Sequence, residues 1–425
     1  MSSTNSTSTL VVSLIGGSHF VNHAYFMLLP PVFGPLQSEL GISTAQSGLA
    51  LGLVGFVVVA LQLPFGYLSD AYSRRAVLAI SLSVGAVGAA LTATAQSYPW
   101  LLAAATVTGV GIAGHHPAHY PMLSAATEPS ARGRAYSIHG FTGALGFAAP
   151  PAVVGVVSSA AVPGDWRAAI ALLAALGGLY AVGCLWLVVT RLPRSVTHAP
   201  GSRSGAPREK RRPLRTLPRR ALAGVRSTLS ATGIVLLTLL WFLVSMVVWG
   251  IQAYTAPLLT DGYGVDASTA NLLVSAMLVV GAVAILGGGW LTDRYGPRNT
   301  VLGGLAGVTV VAVVLASAVL PIVLALGVTL VFAATIKAAR PALSTLGDAL
   351  STRDDLGKNF GLLTIGISGG GAVAPPVFGA LSEATSIRTV FWAMAAIGVV
   401  AFAFTFVVLA IGDASVAHAS DATDG

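Results

Sequence analysis

Charge is what this chain has least of. Only 9% of its 425 residues are Asp, Glu, Lys or Arg, while 55% are hydrophobic and the mean hydropathy is +0.80. A water-soluble domain carries roughly 25% charged residues to cover its surface, so a soluble globular fold is excluded and the outer surface must face lipid. Cysteine is nearly absent. Cys184 stands alone inside an apolar run, which rules out an intrachain disulfide and a cysteine metal cluster. Met1 to Thr9 are mostly Ser, Thr and Asn. They lack the basic stretch of a cleavable signal, so the apolar run that follows is expected to remain as a membrane helix. No Walker-type phosphate loop occurs, so nothing points to direct use of ATP.

The formal net charge of +8 would suit a nucleic-acid partner if the cations formed one face. They lie instead in short patches between apolar runs, which is how membrane topology is written. A bilayer core takes about 20 apolar residues of helix. Runs of that size fall at 10–33, 44–69, 75–95, 99–123, 134–159 and 167–190, and again at 230–259, 267–292, 298–318, 321–346, 357–383 and 388–411. With both termini on the cytoplasmic side, nineteen of the twenty-three basic residues lie inside, only Arg167 and Arg388 lie outside, and Lys337 and Arg340 fall within a run. The polar, proline-bearing stretch 191–229 divides the chain into a first half, 1–190, and a second, 230–425, with a short polar tail. Its basic run Arg208-Glu209-Lys210-Arg211-Arg212 reads as a solvated topology determinant, or one that rests on anionic lipid.

The halves repeat. Gly66-Tyr67-Leu68-Ser69-Asp70 recurs as Gly289-Trp290-Leu291-Thr292-Asp293 at an offset of 223, and Arg75 falls on Arg298 at the same offset. Gly133-Arg134 recurs as Gly357-Lys358, and Pro150-Pro151 as Pro375-Pro376, at offsets of 224 and 225. An offset this steady indicates a duplicated six-helix unit, and paired units are a usual transporter architecture. The fold expected is therefore all-α and membrane-integral, with twelve transmembrane helices in two pseudo-symmetric six-helix bundles.

The strongest motif is Gly66-x-Leu68-x-Asp70-x-x-x-Arg74-Arg75, with its twin Gly289-x-Leu291-x-Asp293-Arg294-x-Gly296-x-Arg298. Its glycine lets neighbouring helices approach closely. Its Asp can pair with an Arg across the loop or face a helix N-terminus. Such a cluster can hold two halves together on one side and release them. This duplicated pattern resembles the signature loop of the major facilitator superfamily over essentially the whole chain. The resemblance implies two bundles around a central cavity worked by alternating access. Ser73 stands where that family usually has Gly, so a less tight first turn is expected.

A narrower resemblance links Ser18-His19-Phe20-Val21-Asn22-His23, Leu36-Gln37-Ser38-Glu39-Leu40, Gly109-x-Gly111, His116-Pro117 and Arg132-Gly133-x-Ala135-x-Ser137 to fosmidomycin-resistance-type efflux proteins. That group implies proton-coupled export of a small phosphonate drug. His23 and Ala118 depart from it where acidic residues are expected. The fifth run carries Gly140-x-x-Gly143-x-x-Gly146-x-x-x-Pro150-Pro151, a loose form of the superfamily antiporter motif. Close helix packing alone explains it equally well, since the eleventh run has a similar set. Ala105 stands where many such antiporters place an arginine.

Ionisable groups inside a bilayer are costly and usually face a cavity or a partner. Six of the eight histidines fall in the first half's runs: His19, His23, His115, His116, His119 and His139. His19 and His23 are spaced i, i+4 beside Asn22, and His116 and His119 are spaced i, i+3. Superfamily architecture implies that their helices line the cavity. In the second half Lys337 and Arg340 are spaced i, i+3, and Arg340-Pro341 matches His116-Pro117 by the repeat. The proline removes a backbone donor there. Trp249, Gln252 and Tyr254 on the seventh run are candidates to line the same cavity.

No acidic residue lies mid-run. A dry cavity with Lys337, Arg340 and imidazoles but no carboxylate suits an anionic substrate, and histidine titrates near neutral pH. The expectation is a secondary transporter of a small anionic or amphipathic organic solute in a prokaryotic plasma membrane. Protons are the coupling ion, export is the direction, the chain acts as a monomer, and no enzymatic activity, cofactor, bound metal or nucleic-acid partner is expected. Uptake of an organic anion with protons, a metal or metal-chelate carrier using the histidines, and a non-transporting receptor stand as alternatives.

Overall fold

The computed structural model describes residues 2–159, 164–198, 232–349 and 356–421. Most of the expected linker, with its basic run 208–212, and Arg353 lie outside them. The described residues form helices in the order α1 (Ser2–Phe26), a 3-10 turn (Pro30–Val32), α2 (Phe33–Leu40), α3 (Thr44–Ala71), α4 (Arg74–Ala93), α5 (Tyr98–Ala113), α6 (His115–Ala126), α7 (Arg132–Gly146), α8 (Ala149–Val157), α9 (Trp166–Arg191) and α10 (Arg194–Thr197). The second half has α11 (Thr232–Pro257), α12 (Ala267–Ser317), α13 (Ile322–Lys337), α14 (Arg340–Ala349), α15 (Leu356–Ala384) and α16 (Ile387–Asp421).

These make twelve membrane crossings. Among the described residues, nine helical segments are long and apolar enough to span a bilayer by themselves. One of them, α12, is two crossings joined at a non-helical Gly296. The remaining crossings are α1 and the pair α5–α6, whose apolar character is interrupted by His19, Asn22, His23 and by His115 to His119. The outward faces are apolar. On α9 the exposed residues Leu172, Leu176, Leu179, Val182, Trp186 and Val189 recur every three or four positions, a lipid-facing stripe with helical period.

Prolines set most of the departures from the expected runs. A proline at position i cannot donate to the carbonyl of residue i−4. The first crossing thus ends at Phe26, ahead of Pro30-Pro31, rather than at 33, while its polar N-terminal residues join the helix from Ser2. The fourth crossing breaks at Gly114 ahead of Pro117, the fifth at Phe147–Ala148 ahead of Pro150-Pro151, and the tenth at Ala338–Ala339 ahead of Pro341. The repeat is imperfect here, because α15 runs unbroken through Pro375-Pro376.

The duplicated turn is also built in two ways. Gly296 sits at φ 81°, ψ 159°, a conformation essentially reserved for glycine. Ser73, its counterpart, is extended (φ −164°, ψ 120°), and its hydroxyl accepts from Ala76 N at 3.2 Å as the N-cap of α4. The turn does not need glycine at Ser73; a capping residue replaces it.

The two halves are clamped at the end opposite these turns. Ser268 Oγ donates to Gly155 O (2.7 Å), Asn271 Nδ2 to Pro31 O (3.0 Å) and Ser275 Oγ to Ala148 O (2.8 Å), while Ala45 N donates to Glu383 Oε2 (3.0 Å). Between α3 and α15 the backbones nearly touch: a Cβ at Gly52 would lie 2.7 Å from Ala372 O. The motif glycines make no such contact among the described residues. A Cβ at Gly66 or Gly289 would meet nothing within 4 Å, so the close approach expected at these glycines is not made here. Neither Asp70 nor Asp293 forms an ion pair among the described residues. Among the described residues, the side-chain bonds that join the halves lie at the end opposite the duplicated motif, so these residues are closed on one side and open on the other.

Candidate functional site

The break at Gly114 places His115 and His116 at the start of α6, turned toward α1 and α7, so that all six histidines meet. The ring of His19 lies 3.8 Å from that of His139, 4.1 Å from His23, 4.4 Å from His115 and 5.4 Å from His116, centroid to centroid. His115 and His119 are 3.6 Å apart. Gly143 makes room for this: a Cβ there would lie 2.6 Å from His19 Nδ1. The glycine-rich stretch of the fifth crossing thus admits an imidazole.

The bonds are ordered. His19 Nδ1 donates to His139 O at 2.6 Å and His23 Nδ1 donates to Gly143 O at 2.9 Å. The two Nε2 atoms of His19 and His23 face each other at 3.1 Å. A second chain runs from Ser18 Oγ to His119 Nε2 (2.8 Å) and from His119 Nδ1 to His139 Nε2 (3.2 Å). Both ring nitrogens of His115 are buried without a hydrogen-bond partner among the described residues. A bare imidazole in that position is costly.

The second half closes on this cluster with cations. Lys337 is 3% exposed and its Nζ has no hydrogen-bond partner among the described residues; it lies 5.8 Å from the Phe147 ring, which also packs against the His23 ring at 4.3 Å. Arg340 opens α14 just past the break at Ala338–Ala339, and its guanidinium sits 5.9 Å from the Trp241 ring. Tyr120 is 46% exposed although it stacks on His116 at 5.6 Å inside the bundle. Its exposure is to the cleft that opens on the motif side. Further in, Asn22 Oδ1 and Gln252 Oε1 are buried and have no partner among the described residues. The acidic residues among those described lie at or beyond the ends of the crossings.

The remaining candidates are distributed differently. Trp249 packs on Phe26 (4.4 Å) and Phe147 (5.9 Å), at the junction of the halves beside the cluster. Tyr254 is fully buried on the closed side, where its hydroxyl donates to Pro375 O, so it packs rather than lines the cleft. In the motif loops Arg74 reaches Pro121 O (3.2 Å) and Val196 O (3.3 Å). Arg294 lies over Trp290 and Tyr295, and Arg298 over Phe406. Gly66, Asp70, Arg75, Gly289 and Asp293 border the open side. Ser18, Tyr120 and Phe147 belong to the site although spacing did not single them out. Each lies within a helical turn of a named histidine or of the Pro150 break, which is the signal that could have found them. His19, His115 and His139, and separately His19, His23 and His116, bring ring nitrogens within 4.8 Å of one another, a spacing compatible with metal ligation but set among cations.

A family model described as Major Facilitator Superfamily matches residues 15–255 and 237–423. The niacin transporter NiaP of Acinetobacter baylyi is 25% identical over 63% of this chain and 63% of its own length, so the match spans less than two thirds of that relative. The fosmidomycin resistance protein of Escherichia coli is 25% identical over 71% of this chain and 70% of its own. Among solved structures, a bacterial homologue of the human lysosomal transporter Spinster, in an inward-facing and unoccupied conformation, superposes with a TM-score of 0.76 over 95% of this chain and 97% of that one, at 18% identity.

Proposed function

Because this chain belongs to the major facilitator superfamily of membrane transporters, we propose that it is a secondary transporter that moves a small organic anion by alternating access, coupled to protons. The observation that carries the reading is the buried, unpartnered Lys337 Nζ beside Arg340, in a cleft where no acidic residue of the crossings offers a counter-charge. An ammonium held in a low-dielectric interior is strongly disfavoured without a partner, and an anionic substrate supplies one. Niacin and fosmidomycin, for which the relatives are named, both carry acid groups. The cation-rich motif loops belong on the cytoplasmic side by the positive-inside rule, which makes the clamped end the outer one and the present conformation inward-facing. Both termini then lie in the cytoplasm, the membrane is the plasma membrane, and one chain supplies both walls of the cleft, so it works as a monomer.

Outward movement of an amphipathic anion follows from the likeness to the drug-resistance relative. A second reading, uptake of the anion together with a proton, is favoured by one feature: the titratable imidazoles stand beside the cations, where a proton and an anion attract each other.

The test is flux in proteoliposomes and inverted vesicles, with a pH-sensitive dye, for a panel of small organic anions that includes niacin and fosmidomycin. Flux should respond to an imposed pH gradient, and His116→Ala or Arg340→Gln should lower it about tenfold or more, equivalent to ~1.4 kcal/mol. Unchanged flux in both variants would remove the assignment of the cleft.

A further inference from the structure

His19 and His23 meet through their Nε2 atoms at 3.1 Å, and the other nitrogen of each ring is already committed to a carbonyl, His139 O for one and Gly143 O for the other. A carbonyl oxygen only accepts, so both Nδ1 atoms carry hydrogen, and a neutral imidazole carries only one. Both Nε2 atoms therefore present lone pairs. Two lone pairs at this separation repel, yet it is the distance of an N–H···N hydrogen bond. We propose that one proton is held between Nε2 of His19 and Nε2 of His23, so that the pair is a single-proton binding site within the membrane.

The frame that builds the site is rigid. The two carbonyls belong to residues one turn apart on α7, and the two histidines are one turn apart on α1, so the helix pair sets both rings at once. In binding, a hydronium ion gives up a proton, its O–H bond breaking to leave water, and the proton adds to one Nε2 lone pair so that the new N–H donates to the other; no further bond changes. The groups facing the pair are His115, His116 and His119 from α6, His139 from α7, and Arg340 from α14, with Lys337 beyond Phe147. From α9 comes the neutral Tyr180 hydroxyl, which donates to Leu14 O.

All of these are basic or neutral. A divalent metal would place two charges there with no carboxylate or thiolate to offset them, and two imidazoles on a tetrahedral zinc at about 2.0–2.1 Å stand about 3.3 Å apart, wider than observed. One shared proton is the smaller addition. An anion at Lys337 and Arg340 offsets it, so proton and anion raise each other's occupancy. This coupling rests on the transporter reading; the site itself does not.

The experiment is solid-state NMR on the full chain with 15N-labelled histidine, in liposomes and without any transported compound. Near neutral pH the expected result is a 15N–15N coupling across one shared hydrogen. The His19–His23 coupling should be lost in His23→Gln and in His19→Gln, where the glutamine amide donates a neutral N–H to the remaining Nε2 and keeps the chain folded, while the separate His119 Nδ1–His139 Nε2 coupling remains. The proposal is overturned if the coupling is missing in the wild type, if it survives in both variants, or if the purified chain carries stoichiometric zinc, nickel or cobalt at these rings. Flux plays no part in this readout, so anion transport can stand if the proton site fails, and the reverse.

Discussion

Glu39 and Arg167 make the one ion pair among the described residues, at the clamped end of the molecule. The Glu39 carboxylate is held below its usual range by the hydrogen bond from Arg167 and then by that from Trp166 Nε1 at 2.9 Å. The folded chain thus binds this proton less readily than the unfolded one. The stabilisation is present above about pH 4.5 and is lost as pH falls through the lower folded value. The pair is partly exposed, so it is worth about 0.5 kcal/mol or less. Glu39→Gln should lower the thermal midpoint in detergent slightly at neutral pH, with a deficit that shrinks as pH falls through the lowered folded value of Glu39; a deficit independent of pH would contradict this role. At the same scale, the i, i+4 spacing of His19 and His23 was readable from the sequence. Their bonds to His139 and Gly143, 120 residues away, were not, because nothing local encodes which carbonyls a helix will face.

The elements follow their prolines and caps closely. Runs of apolar residues located the twelve crossings, and Pro117 and Pro341 foretold the breaks that turn His116 and Arg340 toward the cleft. The duplicated turn shows what pattern matching alone overlooks: the same bend is reached through a glycine-only conformation at Gly296 and through a side-chain cap at Ser73. Gly296→Ser should therefore cost about 1–3 kcal/mol, while Ser73→Gly should cost only a few tenths, as read from thermal midpoints in detergent. Equal losses at both positions would mean that the two turns are not built differently. The unbroken α15 against the broken α7–α8 also escaped the repeat, because flanking contacts decide whether a Pro-Pro pair kinks a helix.

At the scale of the whole molecule, the asymmetry between the ends defines the state. Gly48 and Gly52 let α3 lie against α15, and Ser268, Asn271 and Ser275 tie α12 to the first half. Their recurrence every three or four residues in an apolar run was visible in the sequence, though not which partner they would meet. Gly52→Val drives a side chain into Ala372 O, an overpacking of about 1–3 kcal/mol, and should shift the population roughly tenfold or more toward the state open at that end. In a Cys184→Ser background, a cysteine at Tyr120 reports this: its labelling by a membrane-impermeant maleimide from the motif side should slow in the Gly52→Val variant. An unchanged rate would show that the clamp does not set the equilibrium.

Composition, apolar run length, basic-residue placement and the 223-residue repeat were enough to specify a membrane chain of two related six-helix units, because lipid burial and helix length are properties of local sequence. The convergence of six imidazoles with Lys337 and Arg340 could only be decided by tertiary packing. Those residues come from four crossings and two halves, and their distances depend on helix crossing and on which side the halves are clamped, neither of which any single stretch of sequence contains.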